Sequence, residues 1–289
     1  MTRAADVLRS PNHLARLAEQ IGGKLGSIGD KLRCYSAKGW PAFIRHHFDL
    51  FEAIEIETLT ACNRRCTYCP NFRFERGLVK NKKYMEESLF KKIIDELSDI
   101  GFRGRVSPHF YGEPLMDERL CDLLAYVHDK IPAAEIAIFT NGDFLTPEYY
   151  KRLVDAGVRC FVITEHGEQM PRAARATFAY RKEHGGQGVE VTYRKYTADT
   201  PLDNRGGLVE HDLYIRRDSC YNPSREVIVD HAGNVVLCCN DYFSSVSFGN
   251  LRNQRLLDVW FSEDMKRIRQ ETKEGVFNLD ICKTCVNNG

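Results

Sequence analysis

The feature that most restricts this chain is a run of three thiols, Cys62-Asn63-Arg64-Arg65-Cys66-Thr67-Tyr68-Cys69. Soft sulfur is the ligand that iron–sulfur clusters require, and three thiolates on one short loop can hold three irons of a [4Fe–4S] cube. Zinc would need a fourth protein ligand close by, and no histidine or further cysteine lies within the loop. The fourth iron is thereby left open to chelate the amino and carboxylate groups of a small molecule. The fold around such a loop has to bring other polar segments to that open iron.

The flanking sequence predicts such a fold. Ala53–Glu57 alternates apolar and acidic residues and reads as a strand ending just before the cysteines. A helix over Ser88–Leu97, a strand at Arg105–Phe110, a helix at Arg119–His128 and a strand at Glu135–Phe139 follow. Then come a helix at Pro147–Ala156 and strands at Cys160–Thr164 and Val189–Tyr196. Strands alternating with helices argue for an α/β class with a parallel sheet, because parallel strands need crossover connections. Loops at the C-terminal ends of such strands build active sites. Four polar segments fall there: Cys62–Cys69, Tyr111–Pro114, Thr140–Asp143 and Thr164–His166. Residues 1–50 read as an N-terminal helical extension, 51–208 as the strand-and-helix domain, and 209–289 as a smaller cysteine-rich unit.

The last of these holds Cys220, Cys238, Cys239, Cys282 and Cys285. Four thiolates would complete a closed [4Fe–4S] cluster or a tetrahedral structural zinc site. Short strands are expected at Glu226–Asp230 and Val235–Cys238, with a helix at Leu256–Arg269. Upstream, Asp203–Gly207 reads as a turn carrying an exposed Arg205. Cys34, Cys121 and Cys160 stand alone and read as small buried hydrophobes. A net charge of +1 over 289 residues leaves no global field to attract phosphates, which argues against a nucleic-acid partner. No apolar run is long enough for a bilayer and no signal segment opens the chain, so the expectation is a cytoplasmic protein without a membrane partner.

The Cys-x-x-x-Cys-x-x-Cys segment, with Tyr68 before its last cysteine, resembles the signature of the radical S-adenosylmethionine (SAM) superfamily. That resemblance implies a partial (β/α)6 barrel, and a reduced cluster that splits SAM into methionine and a 5′-deoxyadenosyl radical. It also implies a one-electron donor such as flavodoxin or ferredoxin. Tyr68 belongs to the loop that meets the cofactor. Tyr111, Gly112 and Glu113 match the family segment at the SAM amino group, and Thr140 and Asn141 match contacts to its ribose and methionine portions. The later cysteines are similar to a twitch domain, the short form of the SPASM auxiliary-cluster domain, so Cys220, Cys238, Cys282 and Cys285 are expected to hold a second [4Fe–4S] cluster.

From about Glu52 to Asn288 the chain further resembles family members that act on aminocyclitols and aminoglycosides, a dehydrogenase and an epimerase among them. The shared runs are His109–Leu115, Thr140–Thr146, Asn204–Gly207 and Gly233–Val235. An aminoglycoside or aminocyclitol substrate follows, with Arg205 near a substrate hydroxyl. Glu165, Glu168 and Asp241 are candidates to pair with its ammonium groups, and His166 joins Glu165 as a candidate substrate contact. Cys239 remains spare once four ligands are assigned. By the same resemblance Cys239 falls on a substrate-lining position, and because adjacent residues of an extended segment point opposite ways, Cys238 would face the cluster while Cys239 faces substrate and returns a hydrogen atom from its thiol. The expectation is therefore a radical SAM epimerase. Its rivals are a dehydrogenase that makes a ketone on the same scaffold and, of another class, a non-catalytic iron–sulfur or zinc scaffold protein.

Overall fold

The structure, a computed structural model, describes residues 50–186, 188–197, 200–210 and 218–286. The expected N-terminal extension lies outside these apart from Leu50, as does Cys34. Among the described residues, β1 (Ala53–Ile56), β2 (Arg105–Ser107), β3 (Glu135–Thr140), β4 (Cys160–Glu165) and β5 (Glu190–Lys195) form parallel neighbours in chain order. Crossover helices α1 (Glu87–Asp99), α2 (Leu120–Lys130), α3 (Pro147–Asp155) and α4 (Arg172–His184) follow the first four strands. A short α5 (Asn222–Arg225) leads into β6 (Glu226–Val229), which joins the same sheet beside β1, also parallel. Strands β7 (Asn234–Val236) and β8 (Ser247–Asn250) then extend the sheet antiparallel. The full order is β5-β4-β3-β2-β1-β6-β7-β8.

Helix α1 forms where the apolar spacing supports it. In α1, Leu89, Phe90, Ile93, Ile94 and Leu97 recur at the one, three and four steps that make a single helical stripe, and all five are buried. Removing the side chain of Ile93, which is fully buried, would cost about 2–5 kcal/mol. Helix α3 starts with Pro147 in its first turn, and the Thr146 hydroxyl accepts from Tyr149 N. The alternation along each strand sorts the sheet's two faces. Ile54, Ile56, Val106, Ile136, Ile138, Phe161, Ile163, Val227 and Val229 join the core that packs under the helices. Glu55, Arg105, Ser107, Phe139 and Glu226 take the alternate positions, and so turn to the inner face.

Three boundaries differ from the sequence reading. The strand from Arg105 stops at Ser107, and the strand from Val235 stops at Val236, short of the cysteine pair. The helix expected at Leu256–Arg269 is two helices, α6 (Leu256–Trp260) and α7 (Glu263–Lys273). They break at Phe261-Ser262, where Ser262 caps α7 by accepting from Met265 N. A last helix, α8 (Asp280–Val286), carries Cys282 and Cys285.

Candidate active site

The cysteine loop leaves β1 and folds back on it. Cys62 N donates to Gly77 O at 2.9 Å, and Cys69 N donates to Cys66 O at 2.9 Å. All three thiols are half-buried and lie within electrostatic reach of one another. Burial pushes the Cys62 thiol up to about 12, a proton that a bound metal would displace. The loop is fastened to the end of β3. Arg64 makes a two-toothed ion pair with Asp143, both contacts at 2.6 Å, and Asn63 Nδ2 donates to Asp143 Oδ2 at 2.6 Å. Asn141 Nδ2 donates back to Asn63 Oδ1 at 2.9 Å. Sequence reading placed Asp143 in a strand-end segment but gave it no role.

Glu113 is buried beside this loop and accepts three hydrogen bonds: from Thr140 Oγ1 at 2.6 Å, Asn141 N at 2.9 Å and Leu115 N at 3.2 Å. Burial still pushes its carboxyl up to about 7, so the site favours a cation arriving there. Gly112 packs so closely that a Cβ would stand 2.0 Å from Leu59 O. Glu113, Thr140 and Asn141 thus form one connected group against the cysteines. Tyr68 stacks on Tyr196 at 4.1 Å, and its hydroxyl meets His166 Nδ1. Burial holds the His166 imidazole down to about 4, hence neutral. Tyr111 points elsewhere: its hydroxyl donates to Cys239 O at 2.8 Å, linking the β2 loop to the cysteine-rich unit.

Cys220, Cys238, Cys282 and Cys285 converge electrostatically. Asn240 serves two of them, its backbone N–H meeting Cys238 Sγ at 3.5 Å and its amide meeting Cys285 Sγ at 3.4 Å. Such N–H to sulfur contacts suit a cluster's ligands. Arg205 does sit in a turn but is not exposed. Its φ is 52°, a left-handed conformation costing on the order of 1 kcal/mol. The guanidinium is turned in to donate to Asn240 Oδ1 at 3.2 Å, within electrostatic reach of Tyr111, Cys239 and Cys69.

Two expected substrate carboxylates are committed to the fold. Asp241, buried, accepts from Ser245 N, Ser245 Oγ and Val246 N at 2.7–2.9 Å and so shapes its own loop. Glu165 shares the helix-side face of β4 with Phe161 and Ile163, pairing with Lys195 at 3.1 Å and with the Tyr193 hydroxyl. Glu168 is exposed, and its backbone oxygen accepts from Lys195. The buried carboxylate that does face inward was missed. Glu55 lies 3.9 Å from both Arg105 and His109 Nε2, and Arg105 pairs with Glu226 at 2.8 Å. Burial, then Glu226, pushes the Glu55 carboxyl up to about 8, with Arg105 and Arg205 opposing. His109 stacks on Phe139 and burial holds it down to about 3. Ser107 Oγ, His109 Nδ1 and Arg105 Nε are buried there without a hydrogen-bond partner. The signal was present in the alternation of β1, where an acid in a strand flanked on both sides needs an inward partner.

Comparison with known proteins decides the family. Residues 56–194 match the radical SAM superfamily, and residues 220–286 match SPASM, an iron–sulfur cluster-binding domain. The S-adenosyl-L-methionine-dependent 2-deoxy-scyllo-inosamine dehydrogenase of Niallia circulans is 35% identical over 243 residues, spanning 82% of this chain and 94% of that protein. This chain belongs to the radical SAM superfamily. A crystal structure of BtrN in complex with AdoMet and 2-DOIA superposes with a TM-score of 0.72 at 34% identity, covering 83% of this chain and 94% of that one. BtrN in an open conformation gives 0.64 at 31% identity, over 82% and 93%. A GTP 3′,8-cyclase of Nautilia profundicola is 36% identical over 110 residues, 37% of this chain and 32% of that protein.

A radical SAM enzyme with a SPASM domain uses SAM and two [4Fe–4S] clusters, and the residues just described fit both. Membership removes the scaffold-protein reading. It also corrects the expected activity: the relative that spans both domains is a dehydrogenase, so the epimerase expectation does not stand. The hydrogen-donor role drawn for Cys239 falls with it. Cys239 sits in a turn rather than on an extended strand, packed against Phe110, Ile228 and Val236, and burial pushes its thiol up to about 12. No helix among the described residues is long and apolar enough to cross a membrane.

Proposed function

We propose that this chain is a SAM-dependent dehydrogenase that oxidises a secondary hydroxyl of an aminocyclitol to a ketone. The observation that carries this is likeness to a 2-deoxy-scyllo-inosamine dehydrogenase through both cluster domains, over 94% of that protein's length. When bound to the open iron of the reduced cluster held by Cys62, Cys66 and Cys69, SAM supplies the radical that takes a hydrogen atom from the carbinol carbon. The remaining work belongs to side chains of this chain. Glu113 receives the SAM ammonium, with Thr140 and Asn141 holding its carboxylate in place. The inner face provides the substrate's polar contacts: Glu55 takes its ammonium, while Ser107 and His109 offer the unpartnered atoms Oγ and Nδ1 to its hydroxyls.

Arg205 cannot act as a base, since a guanidinium keeps its proton throughout the accessible pH range. It stabilises negative charge building on the reacting oxygen as the hydroxyl proton leaves. Cys220, Cys238, Cys282 and Cys285 would hold the cluster that accepts the released electron, and Cys285 is joined to Arg205 through Asn240. Hydrogen abstraction, loss of the hydroxyl proton to solvent and transfer of one electron to the second cluster together convert the alcohol to a ketone. The test is anaerobic incubation with SAM, a reductant and 2-deoxy-scyllo-inosamine or its close analogues. The expected products are a ketone two mass units lighter and 5′-deoxyadenosine in equal amounts. An isomer of unchanged mass carrying solvent deuterium would overturn the reading.

A further inference from the structure

The segment around the first three cysteines carries a local excess of positive charge. Between Cys62 and Tyr84 stand seven arginines and lysines against one acid, Glu75, a formal +6 in a chain whose net charge is +1. The remainder is therefore net negative. Arg64 and Arg76 turn inward to Asp143 and Glu57, which leaves Arg65, Arg73, Lys80, Lys82 and Lys83 exposed. Arg73 and Lys80 meet exposed carboxylates at 3.0 and 3.8 Å, pairs that salt and solvent weaken. Among the described residues no carboxylate lies within ion-pair reach of Arg65, Lys82 or Lys83.

This surface is held at the cysteine loop. Gly77 O accepts from Cys62 N, Lys83 O accepts from Thr60 N, and Phe72 N donates to Cys69 O, at 2.9, 3.0 and 2.9 Å. Within it are large exposed apolar side chains, Phe72 at 47% and Val79 at 48% exposed. Phe243, 53% exposed and five residues past the ligand Cys238, packs edge-on against Phe74 at 4.8 Å. The patch therefore spans the seam between the two cluster-bearing units.

We infer that this face is the docking site of an acidic one-electron carrier protein. It rests on superfamily membership, which requires that the catalytic cluster be reduced, and not on which substrate is oxidised. In the step served here the carrier is oxidised by one electron and the catalytic cluster is reduced by one, from its 2+ to its 1+ state, with no bond made or broken. Basic side chains attract the acidic carrier and set its association rate. The apolar residues then exclude water from the contact.

The test uses the reconstituted holoenzyme and stopped-flow reduction of its cluster, with reduced flavodoxin as the acidic probe and photoreduced deazariboflavin as a small neutral one. For the wild type, the flavodoxin rate should fall about tenfold or more between 50 and 400 mM NaCl while the deazariboflavin rate holds. K80E/K82E/K83E should lower the flavodoxin rate at low salt about tenfold or more and leave the deazariboflavin rate and iron content unchanged. R172E/K182E, on α4, should alter neither. A salt-independent flavodoxin rate in the wild type, or equal loss in the α4 variant, would overturn the assignment. So would a loss in the triple variant shared by the neutral reductant. The wild-type salt series decides even if the triple variant folds poorly.

Discussion

At the scale of single residues, the inner face turns on Glu55. Its carboxyl, pushed up to about 8, is mostly protonated at pH 7 in the free site. An ammonium arriving beside it favours the ionised form, so binding should expel close to one proton. Calorimetry in buffers of different ionisation enthalpy should detect that release at pH 7, and KM should fall as pH rises from 6 toward 8. Glu55→Gln should abolish the release and raise KM about 30-fold or more, leaving SAM binding intact. Persistence of proton release in the variant would move the ammonium site elsewhere. Stability gives a second reading with a definite sign. The folded value lies above the ordinary 4.5, so the contribution of the neutral carboxyl is full below about 4.5 and lost as pH rises through 8. Glu55→Gln should thus gain Tm over the wild type by several degrees at pH 9 and by little at pH 5.

At the scale of elements, two local arrangements carry the chemistry and each can be broken by one atom group. Gly112→Ala places a Cβ 2.0 Å from Leu59 O. The β2 loop must shift, carrying Glu113 away from Thr140 and Asn141, and SAM affinity should fall at least tenfold by equilibrium binding. Asn240→Ala removes the amide donor to Cys285 Sγ. Fewer hydrogen bonds to a cluster's sulfurs favour its oxidised form, so the second cluster's potential should become more negative by tens of millivolts, measured by redox titration followed by electron paramagnetic resonance. An unchanged potential would show that the amide does not tune the cluster. The elements themselves were legible because β1 to β5 alternate with amphipathic helices and end in polar runs. Helix α4 was not, since it buries only Ala174 and Thr177 and so leaves a weak apolar stripe. Cysteine spacing singled out Cys62, Cys66 and Cys69, while for the later five cysteines the choice of four came from the likeness to a twitch domain. Spacing said nothing of the inward turn of Arg205, which depends on a left-handed backbone, nor of Asp241, whose loop consumes its carboxylate.

At the scale of the whole molecule, the cysteine-rich unit is joined to the larger domain within one sheet. β6 pairs with β1 from Ala53↔Glu226 to Ile56↔Val229, Trp260 packs edge-on against Phe51 at 5.1 Å, and Tyr111 reaches Cys239. Ending the chain after Leu208 would uncover the β1 edge and its buried isoleucines. That truncation should lose the catalytic cluster too, giving well under four irons and a weakened far-UV dichroism signal. A soluble, four-iron fragment that still cleaves SAM would show the unit to be a mere appendage. The division into 51–208 and 209–289 followed composition, and composition does not report which strand a later segment will pair with. That pairing has a consequence for biosynthesis. On the ribosome, β1 emerges about 170 residues before its second neighbour, an interval of roughly 10–35 s at 5–20 residues per second. For that time the strand leading into the first three cysteines has an unfilled side, a state that invites wrong pairing. Cells making this protein should therefore yield more of it when translation is slowed little and chaperones are plentiful, and the first cluster should be seated only once nearly the whole chain has left the tunnel.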